Sequence, residues 1–310
     1  MASFQLRDSY PHRPAILGDD HYAEVLAFLS ADVVLNLFQL CWLDNHGVTG
    51  RARQDLFHFS GLRGPAGRFQ AVALVISGRL LLVHALRPSA ASTMGRWYRD
   101  RGVVLEHIVS GRSSVEPFWE AYRQVEASPT VSARLDRHQT LYALDRGRWL
   151  ADVRPRLRAG FAPTGVRHAR LEELDSVYLA SAQMHLEETL ENPLDAQPEA
   201  FRKHVRHRIQ TNRTFVWFDD HRRLEFKADL SAYSSFGTQI SGVYTPPRFR
   251  GQGVATRALF DICEELFESG LPRITLYVNA GNKAAHRVYR KVGFQSHADY
   301  QTVFVESSNE

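Results

Sequence analysis

Residues 241–266 read SGVYTPPRFRGQGVATRALFDICEEL, and this stretch decides the fold. A β-prone run ends on Pro246-Pro247, Arg248 and Arg250 follow, and the turn Gly251-Gln252-Gly253 leads straight into a helical pattern over Val254–Glu268. In that pattern Ala258, Ile262 and Leu266 recur on one stripe while Arg257, Asp261 and Glu265 face away. The first amides of a helix lack intrahelical acceptors and carry partial positive charge, so a glycine turn at a helix start suits an anion, best a phosphate or pyrophosphate. Glycines also serve turns that merely need positive φ, so Gly-x-Gly alone does not establish such a site. No G-x-x-x-x-G-K-[ST] occurs, and a dinucleotide fingerprint would need Gly or Ala where Thr256 stands.

A second segment, LYVNAGNKAAHRVYRKVGF at 276–294, adds to the first. Asn279 ends a predicted strand (Arg273–Val278), and Asn282 is placed to cap a helix over Lys283–Lys291. Ala285, Tyr289 and Gly293 follow at spacings that share one helical face. Tyr289 can pack against a sheet, or its phenol can donate a proton to a departing thiolate.

Working outward, Asp20–Asn45 has helical periodicity, Phe69–Ile76 and Arg79–Ala85 read as strands joined at Ser77-Gly78, and helices are expected at Ser92–Asp100 and from Val115. Ser113 and Glu116 have capping-box spacing at the last of these helices. Strands are expected at Val103–Val109 and Thr140–Leu144. Residues 146–165, rich in Arg, Pro and Gly, read as a connector, with a boundary near 155. Beyond it the pattern gives strand Val166–Ala169, helices Leu171–Leu186 and Pro198–Gln210, strands Thr214–Asp219, Leu224–Ser231 and Gln239–Tyr244, and a last strand Thr302–Val305.

Together the two segments resemble the GCN5-related N-acetyltransferase (GNAT) superfamily. Its Arg/Gln-x-x-Gly-x-Gly/Ala loop is matched at Arg250, Gly253 and Ala255, and its later pattern at Asn282, Ala285, Tyr289, Gly293 and Phe294. DVVLNLF (32–38), HIVSG (107–111), MHLEETLENP (184–193), FKADLSAYSS (226–235) and GVYTPP (242–247) are similar to bacterial two-domain members. The resemblance implies an α/β (α+β) chain of two GNAT-like mixed-sheet domains in tandem. Residues 1–155 would be a degenerate copy without the loop, and 156–310 the acetyltransferase domain, giving one acyl-CoA site.

The resemblance also implies an activity, transfer of an acyl group from acetyl-CoA or another acyl-CoA to a primary amine by direct attack on the thioester. Val243 and Thr245 would pair with pantetheine alongside Tyr244, the Val243 amide polarising the thioester carbonyl. The amides of Gly251, Gln252, Gly253, Val254, Ala255 and Thr256 would hold the pyrophosphate, with Arg248 and Arg250 adding charge and Asn282 and Tyr289 completing the cofactor site. Tyr289 would protonate the leaving sulfur, with Asn279 a further catalytic residue. The strand Thr238–Val243 lacks the glutamate many relatives use as base, leaving Glu187, Glu188, Asp229 or Tyr244 through water, with Glu188 the best single choice. A non-catalytic acyl-CoA sensor is the alternative.

Composition bounds the remaining expectations. The 310 residues are 44% hydrophobic, enough for two cores, and 38 basic against 34 acidic residues give a net charge of +4. Only Lys203, Lys227, Lys283 and Lys291 are lysines, an arginine bias that GC-rich codon usage produces without a ligand. Nucleic-acid binding is therefore not expected. Two cysteines make no disulfide framework, and no leader or membrane-length apolar run is read, so a cytoplasmic protein without membrane partners is expected. His204 and His207 lack further ligands nearby, so no metal is expected. The partners expected are an amine-bearing small molecule or protein, with a homodimer possible.

Overall fold

A computed structural model describes residues 13–49, 57–77, 79–124, 131–160 and 162–306. Gly78 of the expected turn, and most of the polar start of the chain, lie outside the described residues. The chain forms two compact units, 1–141 with 298–310 and 142–297. The expected boundary at 155 falls inside a helix of the second unit.

The first unit contains β1 (Ala15–Ile16), α1 (Tyr22–Ser30), α2 (Leu37–His46), β2 (Phe57–Arg63), β3 (Phe69–Ile76), β4 (Leu80–Ala85), α3 (Pro88–Asp100), β5 (His107–Gly111) and α4 (Arg112–Arg123). β6 (Ala133–Asp145) leads out of it. Strands β1 to β4 pair antiparallel in succession, and β5 lies parallel to β4. The end of the chain completes this sheet: in β12 (Gln295–Val305), Tyr300–Phe304 pair antiparallel with β5. Val303 and Val305 thereby join a core with Val83, Met94, Ile108 and Phe118. Apolar alternation marks β12 as a strand but does not encode which sheet it enters.

The second unit holds α5 (Arg146–Arg148), a π-helical turn at Trp149–Val153, α6 (Arg154–Arg158), β7 (Arg167–His168), α7 (Leu174–Thr189), α8 (Pro193–Ala196) and α9 (Pro198–Gln210). It continues with β8 (Thr214–Phe218), β9 (Leu224–Ser234), β10 (Gly237–Tyr244), α10 (Val254–Glu268), β11 (Arg273–Asn279) and α11 (Lys283–Val292). β7 to β10 pair antiparallel in succession, and β11 lies parallel to β10. Phe226, Ala228, Leu230, Ile274, Leu276 and Val278 project from one face of this sheet into a core with α10 and α11. This period-2 arrangement leaves the alternate residues for the opposite face.

Three local expectations are corrected. Much of the connector at 146–165 is helical over 146–158, because Trp149 and Val153, four residues apart, are buried in the core. Pro155 follows the π-helical turn directly, where the Arg154 amide bonds the Trp149 carbonyl five residues back. The arginines there meet α10: Arg154 pairs with Glu264 at 2.6 Å and with Glu268 at 3.3 Å. At α4 no capping box forms. Gly111 is the N-cap, Ser113 lies inside the helix, and no side chain caps the start. The strand expected from Val103 begins at His107, because Val103 and Leu105 are held by the Tyr122 hydroxyl, which donates to the Val103 carbonyl and accepts from the Leu105 amide.

Candidate acyl-transfer site

β10 and β11 are hydrogen-bonded neighbours at Thr238↔Ile274 and Gln239↔Thr275 only. Beyond those positions the strands continue to Tyr244 and Asn279 without pairing to each other. Hydroxyls border this parting: Ser241 Oγ, Thr275 Oγ1 and, just past β10, Thr245 Oγ1 are buried without a hydrogen-bond partner. Orphaned buried hydroxyls are costly, and a polar chain laid along the strands would satisfy them.

The outer edge of β10 shows why it parts. Ser241 opposes Asp229 and Tyr244 opposes Lys227 on β9, so Gly242 and Val243 together face the single residue Ala228. Gly242 has φ +54°, which makes this a glycine bulge that shifts the strand's side-chain phase. Ile240 therefore packs toward α10 while Tyr244 turns to the α7 side.

The chain then runs through a short 3-10 turn at Pro247–Phe249 to the glycine turn. Gly251 and Gly253 have φ +76° and +77°, and a Cβ at either would meet nothing within 4 Å. The glycines are required by backbone conformation, and the space above them is open. Gly253 is the N-cap of α10 and no side chain caps the helix, so the amides from Val254 through Thr256 lack intrahelical acceptors. Gln252 donates to the Arg248 carbonyl, and Arg248 lies over the Phe249 ring.

Arg250 is anchored beside this turn. Its Nε donates to the Thr245 carbonyl at 2.8 Å and its guanidinium pairs with Glu187 at 2.8 Å. Glu187 is thus engaged as a partner of Arg250. The Tyr244 hydroxyl is pushed up by burial and by the Glu187 charge, against the pull of Arg250.

Asn279 ends β11, and its carbonyl accepts from the Asn282 amide. Asn282 caps α11 as its spacing predicts, its Oδ1 accepting from the Ala285 amide at 3.0 Å. Tyr289, one turn before the end of α11, is 6% exposed, with its ring against Tyr142 and Phe294. Burial, and then the Glu188 carboxylate, push the Tyr289 hydroxyl well above the usual phenol range. Tyr277 on β11 is pushed up to about 12 by burial, with Glu188 adding to the effect. Both phenols keep their protons at neutral pH. Glu188, exposed in the last turn of α7, therefore acts electrostatically on the strand and helix that carry Tyr277 and Tyr289.

Sequence reasoning missed most of one cluster. On β9, Lys227 is fully buried and Asp229 is 3% exposed. Lys227 Nζ donates to Asp229 at 2.6 Å, Arg208 of α9 donates to the same oxygen at 2.9 Å, and the Thr214 hydroxyl donates to the other at 2.8 Å. Burial pushes the Asp229 carboxyl up, but Lys227, Arg208 and the hydrogen bonds outweigh it, and Asp229 is held below the usual carboxylate range. An ionised carboxylate so fully engaged is a poor base, although Asp229 was among the candidates. The available signal was a lysine and an aspartate two apart, placed on one face of a strand. Among the described residues no group of three or more His, Cys, Asp or Glu is placed to hold a metal ion, and no helix is long and apolar enough to cross a membrane.

Beside the site, α7, α8 and the tail of β10 line an open cleft of about 390 Å³ with apolar walls at Leu179, Leu186, Leu194 and Tyr244 and polar groups at Gln183 and Arg248.

Comparison with known proteins agrees with this geometry. The Acetyltransferase (GNAT) family model matches residues 181–294, which span α7 to α11 and so contain the parted strands and the glycine turn. No curated protein sequence matches the chain. Among solved structures, a GCN5-related N-acetyltransferase from Sphaerobacter thermophilus is 16% identical, with a TM-score of 0.57 over 95% of this chain and 96% of that one. An acetyltransferase of the GNAT family from Colwellia psychrerythraea is 12% identical, with a TM-score of 0.53 over 94% and 100%. A tandem GNAT protein from the clavulanic acid biosynthesis pathway is 13% identical, with a TM-score of 0.53 over 96% and 99%. At these identities the likeness is one of fold.

Proposed function

We propose, from the premise that this chain belongs to the GNAT superfamily and joins two such domains in tandem, that its second unit transfers an acyl group from an acyl-CoA to a primary amine. The observation that carries this reading is the parting of β10 from β11, bordered by orphaned hydroxyls and leading to an uncapped helix start behind two left-handed glycines. These groups fit an extended polar arm ending in a pyrophosphate, and acetyl-CoA when bound would supply an activated thioester carbonyl.

The residues then divide the work. The amides from Gly251 to Thr256 would hold the pyrophosphate, with Arg250 lending charge from its Glu187-anchored position. The backbone of Val243 and Thr245 would bind the arm, and the Val243 amide, in the bulge, would polarise the carbonyl. Tyr289, kept protonated by burial and Glu188, would give its proton to the departing sulfur. Glu188 would take the proton that an alkylammonium must lose before it attacks. Glu188 is the carboxylate whose charge reaches both Tyr277 and Tyr289.

The test is release of free CoA against a panel of amines, with Tyr289→Phe and Glu188→Gln as controls. Turnover on an amine that both variants slow supports the proposal. Acyl-CoA binding without turnover on any amine supports a sensor, a reading favoured by the bare β10.

A further inference from the structure

The buried charges on β9 stand against the bulge of β10. A Cβ on Gly242 would lie 2.6 Å from Asp229 Oδ2 and 3.2 Å from Lys227 Nζ, so this side-chain pair occupies the space against the residue whose φ of +54° makes the bulge. The pair is tied outward to two further elements, through Arg208 to α9 and through the Thr214 hydroxyl to β8. Two cations share the one carboxylate, and burial pushes the Lys227 ammonium down against the pull of Asp229. A buried ion pair is weak evidence for stability, since apolar residues of similar volume often serve as well. Its value here lies in where it sits.

We propose that Lys227, Asp229 and Arg208 are positioning residues for the acyl-transfer site. They hold the Gly242–Val243 bulge in the orientation that presents its backbone amide to the thioester carbonyl. This rests on the acyl-CoA reading above. The carbonyl gains negative charge as an amine adds, and a donor held in place beforehand stabilises that charge without reorganisation. The cluster thereby gives a polar residue set on β9 a task in the reaction, although β10 itself offers no charged side chain.

The experiment uses the full chain, acetyl-CoA labelled with ¹³C at the acyl carbonyl, calorimetry and infrared difference spectroscopy. Lys227→Met removes the charge at similar length. The double variant Lys227→Met with Asp229→Leu replaces the pair by apolar groups and keeps the test valid if the single variant does not fold. In the unaltered protein the bound carbonyl stretch is displaced to lower frequency relative to free acetyl-CoA. In whichever variant folds, that displacement is lost and kcat falls roughly tenfold to a hundredfold, while acetyl-CoA affinity and KM stay within about threefold. A merely structural role would lower thermal stability and leave the carbonyl frequency in place. A folded variant that keeps the full displacement overturns the proposal alone, whereas an unaltered protein that does not bind acetyl-CoA overturns the acyl-CoA reading with it.

Discussion

The two units repeat one arrangement and finish it in opposite ways. In the first, β4 and β5 are parallel neighbours at Leu80↔His107 and Leu81↔Ile108, as β10 and β11 are at Thr238↔Ile274 and Gln239↔Thr275, and in both a helix follows the first strand. The first unit then seals the parting. Ser114 of α4 donates to the Ala85 carbonyl and accepts from the Ala85 amide, and the Leu35 side chain lies against Gly111. Only Leu86 and Arg87 connect β4 to α3, Pro88 removes an amide from the helix start, and the Arg87 carbonyl accepts from Ala90 and Ala91. The second unit keeps unpaired hydroxyls at the parting and spends Thr245 to Gly253 on a loop with open space above its glycines. The same skeleton gives a packed core element or a ligand site, depending on whether the strand ends are filled by the chain itself.

The largest expected effect is at the glycine turn. Gly253→Val forces a β-branched residue into φ +77° and fills the open cradle, so acyl-CoA affinity falls by about a hundredfold or more, measured by calorimetry. Arg87→Val, at the matching place in the first unit, leaves affinity unchanged, and an equal loss there would erase the contrast.

Next come two tyrosines on corresponding helices. Tyr289→Phe lowers kcat about a hundredfold with acyl-CoA affinity retained. Tyr122→Phe leaves transfer intact and lowers unfolding free energy by about 1–3 kcal/mol, because the Leu105 amide and Val103 carbonyl lose their partner. Steady-state kinetics and denaturant melts of both variants separate the two roles.

A further substitution probes the tight helix packing of the first unit. A Cβ at Gly95 would lie 2.3 Å from the Phe118 carbonyl oxygen, so Gly95→Ala must push α3 off α4. About 2 kcal/mol of stability is lost, with no change in acyl-CoA affinity.

The smallest effect is with pH. Burial pushes His107 down to about 4 and lowers His58 and His84 as well. A histidine whose folded pKa lies below its unfolded value near 6.5 contributes stability at neutral pH that is lost as pH falls from about 6.5 toward about 4. The loss is on the order of 1 kcal/mol at about pH 5.5 for His107. The depressed Asp229 carboxyl gives up its contribution only below the usual carboxylate value, about 3.9. Burial, and then Arg208, push His204 of α9 in the second unit down to about 4 as well. Hydrogen exchange, corrected for intrinsic rate, should therefore accelerate in β2, β4, β5 and α9 as pH falls through about 5.5, and no acceleration there would contradict the assignment of these histidines.

Much of this was legible along the chain. The glycine turn, the helix Val254–Glu268 and the Asn282 cap follow local rules, and α9 at Pro198–Gln210 starts at its proline as expected. The Trp149 segment was hidden because its arginines and Pro155 look like a linker until Glu264 and the core are in place. β2 was not anticipated, and the entry of β12 into the first sheet depends on pairing that no local pattern specifies. In the site, Lys227 was overlooked and Asp229 was read as a candidate base because charges spaced two apart on a strand have no meaning until Arg208 and Thr214 arrive from other elements. The closing of the first unit's parting by Ser114 was invisible for the same reason: its partner lies 29 residues away.

The most direct measurement is the stoichiometry of acetyl-CoA binding to the full chain by calorimetry, repeated on Gly253→Val. One site per chain, lost in the variant, is the predicted result. Two sites per chain, or a single site that survives Gly253→Val, would contradict it.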